Sequence, residues 1–298
     1  MAQIVIPSDY YHPVFDQNAT PAARAHSGDT VVFHCRDCYN RTMHTDRMAY
    51  SDMHITCANP ATGPLYIEEA NAGDVLKVEI LEIIPDDRGC MRVRPGAGAY
   101  EIDQRICRVF SVDPKAMTVD FDGIAIPLRP MIGVIGTAPA GEPIGTEVPA
   151  EHGGNLDINE MTAGTTLYLP VSVDGALLSM GDIHGLQGDG ESAICGLEMN
   201  GIVTVRVSVL KNRRDIPTPL LVTATHYITT AAHPSLDVSS VAAARKMHRF
   251  LQEHSALDNP HAGMLLSLKG DLRISQIVNP AKGCIMAFPK GILDIDFA

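Results

Sequence analysis

The stretch from Gly201 to Leu210 constrains the fold of this chain more than any other, because its apolar and polar side chains alternate strictly. Its middle reads Ile-Val-Thr-Val-Arg-Val-Ser-Val. Successive side chains of a β-strand point to opposite faces of a sheet, so a period of two predicts a strand with one buried and one solvated face. We therefore expect this stretch to supply sheet rather than chemistry.

Short apolar or β-branched runs separated by turn-forming residues occupy most of residues 1–120. Clusters of Pro, Gly, Asn and Asp divide these runs, most clearly at 62–64 and 85–89, where we expect turns. Many short strands at this spacing predict a mainly β fold with a jelly-roll-like β-sandwich core. The predicted strands are residues 30–35, 65–67, 75–84 and 106–110.

Beyond residue 215 the pattern changes to a mixture of strands and helices. Residues 240–251 are rich in helix-forming residues at helical spacing, and 259–269 predict a second helix that Gly270 ends. Residues 271–278 and 285–289 predict two closing strands. We therefore expect a β-rich core over residues 1–215 and a small α+β segment over 216–298, packed together as one catalytic unit.

Composition and charge exclude several classes of partner. The net charge of the 298 residues is −12 with no cluster of Lys and Arg, which argues against nucleic acid as a partner. No apolar run approaches the roughly 20 residues of a membrane span, and the first residues do not resemble a secretory signal. The seven scattered cysteines are an odd number, which favours reduced thiols and a cytoplasmic location.

Residues 179–191 are the clearest candidate for a site, because they contain three carboxylates, one imidazole and four glycines. An apolar run at 166–171, a turn at 173–175 and a second apolar run predict a strand, a tight turn and a second strand. The period of two places Asp182 and His184 on one face of the second strand, where both can point at one divalent metal. The glycines allow Asp189 or Glu191 to approach the same point.

Two further stretches contribute candidates. In His-Gly-Gly-Asn-Leu-Asp, residues 152–157, Asn155 and Asp157 face the same way if Leu156 faces the core. Asn155 could then orient a substrate amide and Asp157 could bind metal or fix a histidine, or the pair could instead cap a short helix at 158–160. Asp37 leaves a predicted strand end into a polar loop, which suits a site residue.

These residues together predict a metal site with mixed oxygen and nitrogen ligands, suited to Zn²⁺, with Ca²⁺ as the harder alternative. A metal of this kind activates water for hydrolysis, and we choose Glu191 as the base, with Asp37 and Asn155 as further catalytic residues. The predicted metal ligands are Asp182, His184, Asp157, His152 and Asp189.

Several motifs in this order resemble the acetamidase/formamidase family of amidohydrolases. The resemblance implies a jelly-roll-like sandwich with a short α+β segment, a homo-oligomer (dimer or tetramer), and hydrolysis of a short linear amide to a carboxylate and ammonia. Gly185, where the family pattern has alanine, and residues 37–44, which match only at their start, depart from it and leave the preferred amide open. The motifs lie at residues 59–64, 72–76, 129–136, 152–157, 167–191 and 266–276.

Two other functions fit parts of the sequence. A non-catalytic metal- or sugar-binding β-sandwich could hold Ca²⁺ with Asp182, Asp189 and Glu191, although the imidazole of His184 favours Zn²⁺ and catalysis. A cysteine-nucleophile amidase could use Cys195 or Cys38, the second thiol of Cys-Arg-Asp-Cys.

Overall fold

The computed structural model describes residues 4–49, 55, 57–293 and 295 of the chain. Within these residues most of the regular structure is β. The first ten strands are β1 (Ile4–Ile6), β2 (Tyr11–His12), β3 (Val14–Phe15), β4 (Ala23–Ala25), β5 (Thr30–Cys35), β6 (Ala61–Ile67), β7 (Val75–Val93), β8 (Ile106–Asp113), β9 (Thr118–Phe121) and β10 (Ile124–Pro127).

The second half of the chain adds further strands and two helices. Those strands are β11 (Met131–Gly136), β12 (Ile144–Gly145), β13 (Gly153–Asn155), β14 (Thr166–Pro170), β15 (Leu178–His184), β16 (Glu198–Leu210), β17 (Leu220–Val222), β18 (His226–His233), β19 (Asp271–Gln276) and β20 (Lys282–Pro289). The helices are α1 (Leu236–Glu253) and α2 (Asn259–Lys269). Neither helix is long and apolar enough to cross a membrane.

Strand β16 carries the predicted alternation and lies between two neighbours. It pairs antiparallel with β7 along its whole length and with β5 over residues 201–206. Val203, Val205 and Val207 are fully buried while Arg206 is exposed, as the period of two predicts. Larger apolar side chains from β5, β7, β14 and β15 complete the main core. The predicted mainly β, sandwich-like fold is confirmed.

Two predicted turns are wrong, because their residues lie inside strands. Residues 85–89 belong to β7, where Pro85 pairs with Gly201 and Gly89 with Met199. The residues between them bulge out opposite Asn200, and a bulge of this kind accommodates turn-forming residues without ending the strand. Residues 62–64 lie inside β6, which pairs with β2, β4 and β15.

The predicted hairpin of residues 166–184 is also wrong in its pairing. Strands β14 and β15 form where expected, and a turn joins them. However, β14 pairs with β7 and β17, whereas β15 pairs with β6, β11 and β16. An apolar run shows that a strand forms, but its partners depend on the rest of the sheet. As a result, β15 is buried along its whole length.

The end of the chain packs its helices against two strands. Helix α1 is longer than predicted and α2 has its predicted ends, with the side chain of Asp258 accepting from the N–H of His261 at 3.0 Å. Met247, Phe250 and Phe288 are fully buried in this second core. Strand β17 joins the segment to β14 of the main sheet. The boundary at residue 215 stays a prediction.

Candidate active site

The site is built around the point where β15 changes its pairing partner. Before Asp182 the strand pairs with β6, and after it with β16. Asp182 itself has a φ of +56°, and its N–H donates to the carbonyl of Arg36 at 3.1 Å. A left-handed backbone at a non-glycine residue costs energy and persists where the surrounding structure enforces it. The side chain of Asp182 is thereby directed into the interior.

The imidazole of His184 shares this face of β15, with its Nε2 3.3 Å from Asp182 Oδ1. On the other side of the ring, Nδ1 lies 2.8 Å from Gln187 Oε1. Because the amide nitrogen of Gln187 donates to the carbonyl of Asp157 at 2.9 Å, its Oε1 accepts and Nδ1 of His184 carries the proton. This hydrogen bond fixes the tautomer and leaves Nε2 facing carboxylates.

Glu198 is a site residue that the sequence analysis missed. It is the register partner of His184, and its Oε2 lies 3.1 Å from His184 Nε2, outside hydrogen-bonding geometry. Its Oε1 accepts from the N–H of Gly196 at 2.9 Å. The alternation of β16 assigns Glu198 to the solvated face. Pairing with β15 covers this end of the strand, so Glu198 is 1 % exposed.

Two more carboxylates complete the cluster from loops. Ligand atoms of Asp157, His184 and Glu191 lie within 4.8 Å of one another, and the same holds for Cys38, Asp182 and Glu198. Asp157 accepts from the side-chain amide of Asn279 at 2.7 Å. The four carboxylates and His184 are buried, whereas Cys38 and Asn279 are half-buried. The cluster thus contains four carboxylates around one imidazole.

The backbone of the site is strained at several points. Asn59, Asp157, Asp182 and Glu191 all have φ between +45° and +56°. Residues other than glycine rarely adopt this region, and such residues cluster at functional sites. Asn59 also donates from its side chain to Asp182 Oδ2 at 2.8 Å.

Glycines make room for the cluster at two places. A Cβ on Gly133 would lie 2.8 Å from Asp157 Oδ1 and 3.0 Å from Asp182 Oδ2. A Cβ on Gly196 would lie 2.7 Å from His184 Nδ1. The distances of 2.8 Å to Asp157 and 2.7 Å to His184 are shorter than real Cβ contacts, so any other residue at these positions would displace the carboxylate or the imidazole.

Burial and mutual repulsion shift the ionisation of the cluster. Burial raises the pKa of Glu198 to about 8 and that of Asp157 to about 6, and it raises the pKa of Glu191 well above its ordinary value. Burial acts against charge on His184 as well, yet Glu198 and Asp182 raise the pKa of its imidazole well above the usual range. The surroundings therefore favour positive charge at His184 Nε2.

A cavity of about 320 Å³ opens onto this cluster. Its walls include the side chains of Asn155, Asp182, Glu191, Glu198 and Asn279. Asn155 is 4 % exposed, and its Oδ1 has no hydrogen-bond partner within the described part of the chain. The structure thus brings Asp182, His184, Asp157 and Glu191 together as anticipated, with Asn155 beside them.

Three of the predicted site residues lie outside the cluster: Asp189, His152 and Asp37. Asp189 forms a salt bridge with Arg273 at 2.7 Å, and its other oxygen accepts from Asn159 at 2.6 Å, so it does not approach Asp182. The ring of His152 packs edge-on against Phe15 at 4.9 Å between centroids. Neither ring nitrogen of His152 has a polar partner among residues 4–49, 55, 57–293 and 295.

Asp37 serves as a turn residue behind the cluster. Its Oδ1 accepts from the backbone N–H groups of Tyr39 at 2.9 Å and Arg41 at 3.1 Å. With Glu198 it lines a small separate cavity of about 60 Å³. Asp37 is not among the residues that line the larger cavity.

The buried thiols are poorly suited to act as nucleophiles. Burial raises the pKa of Cys195 to about 12 and that of Cys38 well above its ordinary value, with Glu198 adding to both effects. The sulfur of Cys195 also donates to the carbonyl of Arg92 at 3.3 Å. Since the thiolate is the reactive form, this environment does not favour a cysteine mechanism.

Comparison with known proteins agrees with the resemblance seen in the sequence. The chain matches the sequence profile of the Acetamidase/Formamidase family over residues 7–146 and 140–295. The chain belongs to this family. Its structure is similar to that of an acetamidase from Bacillus halodurans, with 44 % identity, a TM-score of 0.93, and coverage of 96 % of this chain and 97 % of the other.

Two curated members of the Acetamidase/Formamidase family extend the comparison. A proposed formamidase of Schizosaccharomyces pombe is 29 % identical, over 62 % of this chain and 60 % of its own length. A formamidase of Methylophilus methylotrophus is 46 % identical over 74 residues, which are 24 % of this chain and 18 % of its own length. The matches thus span less than two thirds of these curated relatives.

Proposed function

We propose that this member of the Acetamidase/Formamidase family hydrolyses a short linear amide to a carboxylate and ammonia with the help of a divalent cation. The observation that carries the proposal is the cluster of four buried carboxylates around His184, at the wall of a cavity large enough for a small ligand. Titratable groups gathered in a cleft with shifted pKa values are typical of active sites.

The donor set fits a divalent cation. Asp157 Oδ1, Glu191 Oε2 and Glu198 Oε2 are buried and make no hydrogen bond with any described residue. Buried charges of this kind are normally paired or bound to metal. The carboxylates already favour positive charge at His184 Nε2, and a metal ion supplies that charge without a proton. We assign the ligands to His184, Asp182, Asp157 and Glu198.

Zinc is the ion that this set suits best, because an imidazole nitrogen with carboxylate oxygens is a common zinc environment. When bound, such an ion polarises the amide carbonyl and makes an attacking water more acidic. A purely structural Ca²⁺ site built from Asp182, Asp189 and Glu191 has less support, since Asp189 is paired with Arg273.

Glu191 is placed to transfer the protons of the reaction. Its Oε2 is unpaired, and its raised pKa makes the carboxylate a stronger base toward water than an ordinary Glu. The water oxygen adds to the amide carbon, the C–N bond breaks, and Glu191 returns the proton to the leaving nitrogen. The products are a carboxylate and ammonia.

Asn155 is placed to orient the substrate. Its buried Oδ1 has an unfilled acceptor position, which matches the N–H donors of a primary amide. A carboxylate product lacks those donors, so this contact favours the substrate over the product. The loss of one hydrogen bond of this type in a buried site costs about 1–3 kcal/mol.

Ammonia release from formamide and acetamide tests the proposal. The protein is assayed as purified, after chelation, and after restoration with Zn²⁺, with metal content measured in parallel. His184→Ala is expected to lose metal and activity, while the exposed control His26→Ala keeps both. Turnover that survives complete removal of metal would refute the metal mechanism, and no turnover of any amide would refute the hydrolase. A homo-oligomer and a cytoplasmic location stay predictions.

A further inference from the structure

A second cavity of about 300 Å³ lies on the other side of Glu191. Its walls come from β7, β8, β9 and β10 and from the loop of residues 186–197. Phe110 and Phe121 form a stacked pair in this wall, with ring centroids 5.3 Å apart and an angle of 18°. Met91, Val119 and Ile126 add further apolar surface.

Glu191, the residue to which we assign proton transfer, lines both cavities, so the two lie next to each other at this residue. The residues around Glu191 divide between the two cavities: Ile194 lines the polar cavity, whereas Ala193 and Cys195 line the apolar one. A substrate bound with its carbonyl carbon near Glu191 would have its amide group in the polar cavity. The substituent on its carbonyl carbon would then point toward the apolar one.

We propose that the apolar cavity binds the hydrocarbon part of the acyl group, so that amides with an aromatic or long aliphatic acyl group are better substrates than formamide. This inference rests on the proposed amide hydrolysis. The reaction is unchanged: water adds to the carbonyl carbon, the C–N bond breaks, and the products are the larger carboxylate and ammonia.

The size and chemistry of the cavity support this assignment. Small-molecule sites are typically about 300–1,000 Å³ and mainly apolar, and formamide has no hydrocarbon group to occupy such a volume. Aromatic rings pack favourably against other rings at the separation seen between Phe110 and Phe121. Each methylene that enters an apolar pocket changes specificity by about 10-fold or more.

The test compares formamide, acetamide and benzamide in the wild type and two matched variants on β10. Ile126→Phe fills part of the cavity, whereas Ile124→Phe makes the same change at a site that is 62 % exposed and outside it. We expect wild-type kcat/KM for benzamide to exceed that for formamide by about tenfold or more. Ile126→Phe removes this advantage by lowering kcat/KM for benzamide more than kcat/KM for formamide, and Ile124→Phe changes neither.

A second measurement covers the case in which Ile126→Phe does not fold. Phe121→Ala removes a side chain that is 41 % exposed, so the fold should tolerate it. We expect it to weaken competitive inhibition by benzoate by about tenfold, with little effect on inhibition by formate.

The outcomes separate this inference from the proposed function. Formamide turnover with no benzamide turnover, or equal losses on all amides in Ile126→Phe, would overturn the acyl pocket and leave amide hydrolysis standing. No turnover of any amide would overturn both. A change of molecular mass in Ile126→Phe would show that a second copy of the chain covers the cavity, which also overturns the assignment.

Discussion

His184 and Glu198 are register partners across β15 and β16, with His184 Nε2 3.1 Å from Glu198 Oε2. The pairing of two strands thus sets a contact between an imidazole and a carboxylate whose pKa is raised to about 8. Because backbone hydrogen bonds hold both residues, their separation does not depend on a loop.

Replacement of Glu198 by Gln should lower metal affinity and activity together. The change keeps the size of the side chain but removes a charge that the cluster presents to a cation. We expect metal affinity to fall by about 10- to 100-fold and kcat/KM by at least as much. Metal titration and ammonia release measure the two effects. Glu82→Gln, at an exposed position of β7, is the matched control; equal effects in both variants would contradict a role for Glu198.

Replacement of Gly133 by Ala should displace the carboxylate of Asp157 in the site. The new Cβ would lie 2.8 Å from Asp157 Oδ1, so the carboxylate or the strand must move. Overpacking of this kind lowers the unfolding free energy by about 1–3 kcal/mol. Because the carboxylate is displaced, kcat/KM should fall by more than this loss of stability alone explains. Chemical denaturation measures the loss of stability, and ammonia release measures the loss of activity. Gly263→Ala on α2 has room for its Cβ and should leave activity intact.

Thiol modification should not abolish the proposed amide hydrolysis. At pH 7 a thiol with a pKa of about 12 is ionised in only about one molecule in 10⁵. Cys195→Ala should therefore keep most of the amide turnover, and iodoacetamide should react slowly with the folded protein. Loss of activity in Cys195→Ala with full metal content would instead favour the cysteine nucleophile.

His152 should make stability depend on pH between about 6.5 and 4. Burial lowers the pKa of its folded form to about 4, so the unfolded chain takes up a proton first as pH falls from the ordinary value of 6.5. The contribution of His152 to the unfolding free energy is therefore complete above pH 6.5 and decreases by about 3 kcal/mol as the pH falls to 4. Denaturant titrations at several pH values measure this loss.

The comparison variant for His152 is His152→Phe, which cannot titrate. Its unfolding free energy should vary less with pH than that of the wild type, while His44→Phe at the surface should behave like the wild type. An unchanged pH dependence in His152→Phe would contradict the assignment. Loss of bound metal in this variant would support the sequence-based expectation that His152 is a ligand.

The sequence predicted the two site residues that lie on one strand. Asp182 and His184 face the same way because a strand repeats every two residues, and this needs no knowledge of neighbours. The contribution of Glu198 needed the pairing of β15 with β16, which no local pattern shows. Asp189 failed to join the cluster because Arg273, far away in the chain, provides a closer partner.

The fold shows the same division between local and non-local information. Strand β16 and the end of helix α2 were predictable, since alternation and a final Gly act within a few residues. The bulge at residues 85–89 and the separate partners of β14 and β15 depend on how distant strands meet. Turn-forming residues in a bulge and in a true turn look alike in the sequence.

The left-handed backbone at Asn59, Asp157, Asp182 and Glu191 limits how this protein can be redesigned. Valine, isoleucine and threonine are outliers in this conformation, whereas Asn, Asp and Gly tolerate it. A mutant library that randomises these four positions would therefore yield many variants that fail through the main chain, whatever their side-chain chemistry. Productive diversity is better sought at cavity-wall positions that are not among the residues with positive φ, such as Val119 and Ile126.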